Sequence, residues 1–472
     1  MRKYILPLII LCCTLASKAQ DKGMAFLKGT PQSNVINPAF RLNDDDNFYI
    51  SLLPVMGGTS ISVANTGFSW NDLFYEKQDS LYLDFDKLDS KLQKKNYTNV
   101  NTSFQIISFG FKAGEKSFFT FDMNVKTKTS ITLPGDITQI RYGNWDYDNN
   151  TPINQSLSGI SADGMAYTEL AFGYNRKITD KLTAGIRLKY IMGALAVKTE
   201  HAKLNMITAN DGSVTIDNDI SIITSGPIHA TFDKENKVDG IEFDDNLDPS
   251  DFISKNIGFG VDLGATYQLT DKIMLAAAVN DIGFINWKNN PQHFYSKGSF
   301  VYDGADVSDN ITDKAPEGQD LWGDIGDSLG NSFNVDNAVE SSFNTGLMFN
   351  ANVMGTYKFR EWVDFGAMLA LDHNWSSSLT LSASLNPARA LSGVVTYSIN
   401  KNDFAGIGTG LMVRGGCLQF YCMTDNIISY LSPANAKYVN LRFGMNLIFG
   451  GGHKKNKIKI DEDKEELSML RY

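Results

Sequence analysis

The stretch Tyr438–Phe449 most constrains the fold, because its twelve residues alternate strictly between two faces. One face is wholly apolar, whereas the other carries polar residues such as Arg442 and Asn446. A period of two residues predicts a β-strand. Strands of soluble proteins usually have about five or six residues, but a tilted strand that crosses a bilayer needs about 9–11. This stretch therefore predicts a membrane-spanning strand.

Thirteen further strands are predicted upstream. They lie near Asn47–Asn65, Thr102–Lys112, Ser117–Lys128, Met165–Lys177, Lys181–Lys198, Asn256–Leu269, Ile273–Ile285, Thr345–Phe359, Trp362–His373, Ser378–Leu385, Leu391–Asn400, Phe404–Val413 and Cys417–Thr424. The four longest connections follow the first, third, fifth and seventh strands, and short turns follow the even ones. Outer-membrane barrels show this alternation of long external loops and short periplasmic turns. The sequence predicts an all-β fold, a transmembrane antiparallel β-barrel of about 14 strands over residues 47–449.

Residues 1–19 have the pattern of a secretory signal peptide. Arg2 and Lys3 precede an apolar run, Tyr4–Leu15, and small residues stand at Ser17 and Ala19 before the expected cleavage site. Export of a barrel predicts the Gram-negative outer membrane, with the N- and C-termini in the periplasm. A short segment, 20–46, precedes the first strand. Residues 450–472 are predicted to be a charged periplasmic tail, where a protein partner could bind.

Charge and motifs exclude several classes of function. The formal charge is −10, and it becomes −13 when the leader takes three basic residues with it, which disfavours nucleic acid as a partner. The sequence has no recognisable spacing of catalytic residues or metal ligands. We therefore expect no enzyme, no cofactor and no metal. Outer-membrane lipid is an expected partner, and a periplasmic or surface protein is a candidate.

The two-residue period also assigns charged side chains to the lumen. They are Arg187, Lys189, Asp262, Lys358, Asp364, Asp372, Arg414 and Arg442. Charges of both signs on an inner wall indicate ion pairs that bridge strands. The alternative is a polar conduction path or a ligand site.

The arrangement resembles a known superfamily. An N-terminal segment with the tripeptide Asn37, Pro38, Ala39 precedes about fourteen strands. In this the chain resembles the long-chain fatty-acid transporter superfamily of the outer membrane. It looks most similar to little-characterised Bacteroidota members, which are relatives of a type IX secretion barrel component. The resemblance implies that residues 20–46 form a hatch in the lumen, with the tripeptide at its motif.

Two functions follow as expectations from the resemblance. The first is transport or capture of a hydrophobic or amphipathic small molecule, gated by the hatch-like segment. That function predicts an apolar cavity in the lumen that residues 20–46 contact. The second is a scaffold or secretion-associated binding protein without transport, and it predicts a lumen filled by side chains and by the hatch-like segment, with no continuous cavity.

Overall fold

The computed structural model describes residues 22–52, 58–77, 80–142, 145–146, 149–210, 213–232, 238–243, 256–302, 336–339, 342–372, 377–400 and 403–450. The predicted signal peptide and residues 451–472 of the predicted tail lie outside these ranges.

In the described residues, fourteen antiparallel strands form one closed sheet, which confirms the predicted barrel. The strands are β1 (Asp46–Leu52 and Thr59–Asn65), β2 (Lys95–Ala113), β3 (Ser117–Pro134), β4 (Ser161–Lys177), β5 (Leu182–Thr208), β6 (Asn256–Gln268), β7 (Ile273–Trp287), β8 (Asn350–Arg360), β9 (Val363–Asp372), β10 (Ser377–Ala388), β11 (Leu391–Asn400), β12 (Asp403–Gly415), β13 (Leu418–Thr424) and β14 (Tyr438–Gly450).

The first and last strands close the barrel. Tyr49 of β1 lies opposite Gly110 of β2 on one side and Ile448 of β14 on the other. The second segment of β1 also pairs with both neighbours. Closure is physically required in a membrane, because an open strand edge would leave backbone N–H and C=O groups unpaired in hydrocarbon.

The predicted alternation of faces holds along β14. Residues Asn440, Arg442 and Asn446 are buried inside, whereas Leu447 and Phe449 are exposed on the outer surface. Outward side chains of other strands are still more exposed; Val353 and Leu369 each show 61 % of their surface. Such an apolar outer belt fits lipid. Among the described residues, no helix has the length and apolar character to cross a membrane.

The remaining elements lie in the connections and before β1. Within the described ranges, the helices are α1 (Trp70–Leu73), α2 (Phe85–Lys91), α3 (Ile428–Leu431) and 3-10 helices at Lys22–Phe26, Pro31–Val35, Gly135–Tyr142 and Pro433–Asn435. The further strands in these ranges are Phe74–Lys77, Ser80–Leu83, Trp145–Asp146, Thr151–Pro152, Gln155–Ser156, Val214–Ser225, Ile228–Phe232, Val238–Phe243, Gln292–Tyr302, Asp336–Val339 and Phe343–Gly346.

The wall continues beyond the barrel on one side. The far part of β5 pairs with Val214–Ser225, and that strand pairs with Gln292–Tyr302. These strands form an outer sheet at the end of the barrel opposite the short turns.

Candidate functional site: the lumen

Residues 22–45, here called the N-terminal segment, lie inside the barrel. Met24, Phe26 and Leu27 are buried and belong to one apolar cluster with inward-facing side chains such as Met368 and Met423. Full burial of an apolar side chain of this size stabilises by about 1.5–3 kcal/mol. The three side chains therefore hold the start of the segment against the inner wall.

A buried carboxylate anchors the first described residues of the segment. Asp425, just beyond the end of β13, is 1 % exposed. It accepts hydrogen bonds from the backbone N–H groups of Lys22 at 3.0 Å and Gly23 at 2.9 Å. It also accepts from Tyr438 Oη at 3.0 Å and Asn440 Nδ2 at 3.2 Å. Hydrogen bonds to an ionised acceptor are roughly twice as strong as neutral ones.

A carboxamide cluster holds the middle of the segment. Gln32 Nε2 donates to Gln105 Oε1 at 3.0 Å and to Asn446 Oδ1 at 2.7 Å. Asn446 Nδ2 donates back to Gln32 Oε1 at 3.0 Å. Gln419 Nε2 donates to the carbonyl of Gly29 at 2.8 Å. The cluster links the segment to β2, β13 and β14.

The tripeptide motif docks against β5, β6 and β7. Asn37 is fully buried, and its Nδ2 donates to the carbonyls of Ala265 at 3.2 Å and Ala277 at 3.1 Å. Its Oδ1 accepts the N–H of Ala39 at 2.9 Å, which shapes the turn around Pro38.

Two glycines make room for the motif on the barrel wall. A Cβ at Gly185 would lie 2.3 Å from the carbonyl carbon of Pro38, and one at Gly264 would lie 2.1 Å from Asn37 Oδ1. Side chains at these positions would therefore displace the motif. The two glycines therefore have a steric role on the inner wall of the barrel.

Ion pairs hold the segment at the short-turn rim of the barrel. The carboxylate of Asp46 is buried and binds Arg414 Nη1 at 2.9 Å and Arg389 Nη2. A 2.7 Å hydrogen bond from Lys177 holds the pKa of the largely exposed Asp44 carboxyl below its ordinary value. The end of the segment next to β1 is thus fixed to the rim.

Eight charged side chains on β3 to β7 form what we call the wall cluster. They are Asp122, Lys126, Lys128, Glu169, Arg187, Lys189, Asp262 and Asp281. The wall cluster has four positive and four negative groups, so their formal charges sum to zero. Such pairing is expected, because an unpaired charge in the interior is very costly.

Arg187 and Lys189 are central to the wall cluster. Arg187 bridges Asp122 at 2.8 Å and Asp262 at 3.3 Å. Lys189 Nζ lies 2.6 Å from Asp262 Oδ1 and 3.6 Å from Glu169 Oε2. The pairs join β3, β4, β5 and β6 across the inner wall.

A bulge in β7 connects the wall cluster to the N-terminal segment. Asn280 and Asp281 are both buried, and Asp281 has a φ of 60°. Asp281 contacts Lys128 at 2.8 Å and also pairs with Lys189. Asn280 Nδ2 donates to the carbonyl of Ile36 at 3.0 Å.

A cavity of about 220 Å³ lies between the N-terminal segment and the barrel wall. Its apolar lining comes from Val35, Ile36, Met348, Phe349 and Leu371. Its polar lining includes Lys22, Asn99, Asn101, Asn124, Lys126, Lys128, Lys189, Asn280, Asp281, Asn350, Asn352, Asp372 and Arg442. The lining therefore combines a few apolar residues with carboxamide, ammonium and carboxylate groups.

The structure brings together only some of the eight charges assigned to the lumen. Arg187, Lys189 and Asp262 meet in the wall cluster, and Asp372 and Arg442 line the cavity.

The other three assigned charges lie near the short-turn end. Arg414 binds Asp46, and Asp364 binds Lys28 of the N-terminal segment. Lys358 lies 3.8 Å from Glu361 and is 42 % exposed, outside the wall cluster.

The sequence analysis missed several members of the wall cluster. Asp122, Lys126 and Lys128 share one face of β3, and Glu169 lies on the buried face of β4. The period of two would have placed all four in the lumen. The described residues contain no group of three or more His, Cys, Asp or Glu side chains that could hold a metal ion.

A closed antiparallel barrel with an apolar belt and a polar lumen defines the class of transmembrane β-barrels known from outer membranes. Within that class, the chain belongs to a family of unknown function (DUF5723), whose profile matches residues 38–425. No curated protein matches the sequence.

Solved structures that are similar to this chain include two toluene transporters and a FadL homologue. The toluene transporter TbuX of Ralstonia pickettii is 9 % identical, with 92 % of this chain and 93 % of that chain covered and a TM-score of 0.38. A Pseudomonas aeruginosa FadL homologue is 9 % identical, with 92 % and 99 % covered and a TM-score of 0.40. The P. putida toluene transporter TodX is 9 % identical, with 92 % and 94 % covered and a TM-score of 0.38. At such distances the likeness does not extend to substrate.

Proposed function

We propose that the barrel captures a small amphipathic molecule in its lumen and passes it across the outer membrane, with the N-terminal segment as the gate. The observation that carries this proposal is the cavity, which the barrel wall and the N-terminal segment line together. Lys22, Val35 and Ile36 of the segment belong to its lining.

Contact between ligand and segment supplies a physical basis for gating. A ligand shifts a conformational equilibrium only through contacts that differ between the two states. A molecule that touches Val35 and Ile36 makes those contacts only while the segment is docked, so its binding favours the docked state. A ligand that instead competes for the polar groups that bind the Ile36 carbonyl favours release of the segment. Asn280 and Asn352 both donate to the Ile36 carbonyl and both line the cavity.

The mixed lining supports an amphipathic ligand. Val35, Ile36, Met348 and Phe349 offer apolar contact, and the ammonium and carboxamide groups of the lining offer hydrogen bonds. Small-molecule sites commonly combine an apolar lining with a few convergent polar groups.

The loop pattern supports one orientation of the barrel in the membrane. Short turns of outer-membrane barrels face the periplasm, so we place both ends of the barrel sheet there, at Asp46 and Gly450. The outer sheet then lies outside the cell. The tail at 450–472 would face periplasmic proteins and stays a predicted partner site.

The scaffold alternative is not favoured, because it expects a lumen filled by side chains and a cavity is present. The closer relationship to Bacteroidota barrels and to the type IX secretion component stays a prediction.

Gly185→Ala tests the gate without altering the segment itself. The added Cβ would lie 2.3 Å from the Pro38 carbonyl carbon, so the motif cannot dock as it does now. We expect faster permeation of small solutes into proteoliposomes and faster proteolysis between residues 22 and 45.

Gly355→Ala is the matched control, because a Cβ there meets only ordinary contacts, the nearest being Leu275 Cδ2 at 3.5 Å. Both variants should keep the heat-modifiable gel mobility of a folded barrel. Unchanged permeation in Gly185→Ala, with the motif shown by proteolysis to be released, would refute the gating role.

A further inference from the structure

We propose that the bulge in β7 is the latch of the gate. The wall cluster fixes the left-handed backbone of Asp281, which turns Asn280 into the lumen, and Asn280 then holds the N-terminal segment by the Ile36 carbonyl. Loosening of Asp281 releases the segment. This inference names the regulation of the proposed gate, and it rests on the proposed function only for the effect on permeation.

Two neighbouring residues of β7 face inward at the bulge. The buried positions are even-numbered up to Asn280 and odd-numbered from Asp281 onward. The register between β6 and β7 shifts by one residue at the same place, as an inserted residue requires. A regular strand turns successive side chains to opposite faces. Without the bulge, Asn280 and Asp281 therefore cannot both lie in the lumen.

The part of β7 that follows the bulge is held more firmly than the part that precedes it. Ile285 and Trp287, which follow the bulge, are fully buried, whereas the buried apolar residues before it are Ala276 and Ala278. The free energy gained on burial grows with the apolar area that is removed from water. A strand that loses the bulge therefore keeps the two large side chains inside and turns Asn280 away.

Three members of the wall cluster fix the conformation of Asp281. Its φ of 60° is a left-handed conformation that is unfavourable for most residues and that Asp tolerates better than most. The carboxylate binds Lys128 at 2.8 Å and also binds Lys189. The backbone N–H donates to Asp262 Oδ1 at 2.7 Å. Contacts to both the side chain and the backbone thus stabilise the bulge.

Asn280 connects the bulge to the N-terminal segment. Its Nδ2 donates to the Ile36 carbonyl at 3.0 Å and to Asn350 Oδ1 of β8 at 3.0 Å. Ile36 directly precedes the tripeptide motif, so this hydrogen bond holds the chain beside Asn37. When the strand turns Asn280 away, the segment loses that bond.

The cavity reaches the groups that fix the bulge. Lys128 and Asp281 line it, and their side chains keep 16 % and 8 % of their surface. Lys128 Nζ also donates to the carbonyl of Met348, a further lining residue, at 3.2 Å. A molecule in the cavity that contacts Lys128 changes the hold on Asp281 without touching Asn280. The latch thus links the cavity to the N-terminal segment.

Two substitutions of Asp281 separate the backbone conformation from the loss of charge. Asp281→Val and Asp281→Gly remove the same carboxylate, but glycine adopts a positive φ readily, whereas a β-branched residue avoids it. In limited trypsin digestion of the full chain, cleavage after Arg41 follows the open population when opening is fast. We expect cleavage about fivefold faster in Asp281→Val than in Asp281→Gly, as for the loss of one hydrogen bond.

Asn280→Ala tests whether Asp281 acts through Asn280. Alone it should accelerate cleavage after Arg41 about fivefold, and when added to Asp281→Val it should add less than about twofold, since independent effects multiply. Asn286→Ala is the matched control and should leave the cleavage unchanged, because it removes a similar contact on the same strand, with Asn344 at 2.8 Å.

Heat-modifiable gel mobility identifies any variant that fails to fold. If Asp281→Val does not fold, Lys128→Met takes its place in the combination with Asn280→Ala, because it removes one cation from the carboxylate.

The outcomes are distinct. Equal cleavage rates in Asp281→Val and Asp281→Gly, or effects that multiply when Asn280→Ala is added, would overturn the latch. Faster cleavage in Asp281→Val together with unchanged permeation of small solutes into proteoliposomes would support the latch and contradict the gating function.

Discussion

Replacement of Asn37 by alanine should release the tripeptide motif from the wall. The substitution removes three hydrogen bonds, from Nδ2 to Ala265 and Ala277 and from the N–H of Ala39 to Oδ1. A neutral hydrogen bond contributes roughly 0.5–1.5 kcal/mol net, so the loss is about 3 kcal/mol. Because about 1.4 kcal/mol is a tenfold change, docking of the motif should weaken roughly 100-fold.

Limited trypsin digestion of the folded barrel measures this change. Arg41 lies just after the motif, so cleavage there reports release of the motif. When opening and closing are fast, the cleavage rate follows the open population. We expect cleavage after Arg41 to accelerate by about two orders of magnitude, and cleavage after Lys28 to change less. Asn71→Ala, which removes one exposed amide contact with Asn435, is the control.

A change of less than about threefold at Arg41, with the barrel still folded by gel mobility, would show that the Asn37 hydrogen bonds do not hold the segment.

The remaining predictions concern Asp425 and Arg187, each of which is 1 % exposed. Asp425→Asn should reverse the proteolysis pattern, with cleavage after Lys28 accelerating more than cleavage after Arg41, because it weakens the anchor at the start of the segment. Equal acceleration at both sites would show that the segment is released as one unit. Arg187→Met should destabilise the barrel by about 3–5 kcal/mol, because it leaves the buried carboxylate of Asp122 without its cation, whereas Asp262 keeps Lys189 at 2.6 Å. Adding Asp122→Asn should restore part of that free energy of unfolding in urea titrations, and no restoration would contradict the pairing.

Strand content was predictable because one rule, alternation with a period of two, applies to every membrane-spanning strand. Lipid on one side and a polar lumen on the other force that alternation on the sequence. This alternation predicts that the side chains of Arg187 and Asp262 face the lumen. Their contact follows from the ladder, in which the two residues lie directly opposite each other on β5 and β6.

Asp281 could not be found in this way. Two neighbours, Asn280 and Asp281, both face inward at the bulge, and the inward positions change from even to odd numbers along β7. A bulge adds one residue to a strand and reverses its phase. No residue type in the sequence signals where that happens.

Asp425 was missed for a different reason. It lies one residue beyond β13, where no period applies, and it acts through the backbone N–H groups of residues more than 400 positions away. Lys358 shows a different limit of the sequence pattern. The two-residue period predicts which face of the strand a side chain lies on, but it does not predict which residues that side chain contacts. Only the positions of β8 and the adjacent turn place it at the rim.

The fixed end of the N-terminal segment at Asp46 has a kinetic consequence. The segment is covalently continuous with β1 and tied to the rim by Arg389 and Arg414. After any release it searches only the volume that a short tether allows, which corresponds to an effective concentration of about millimolar or more. Return to the wall is then a unimolecular step, independent of how many copies the membrane holds. Without ligand, the fraction of time for which the segment is released would therefore not depend on the amount of protein in the membrane.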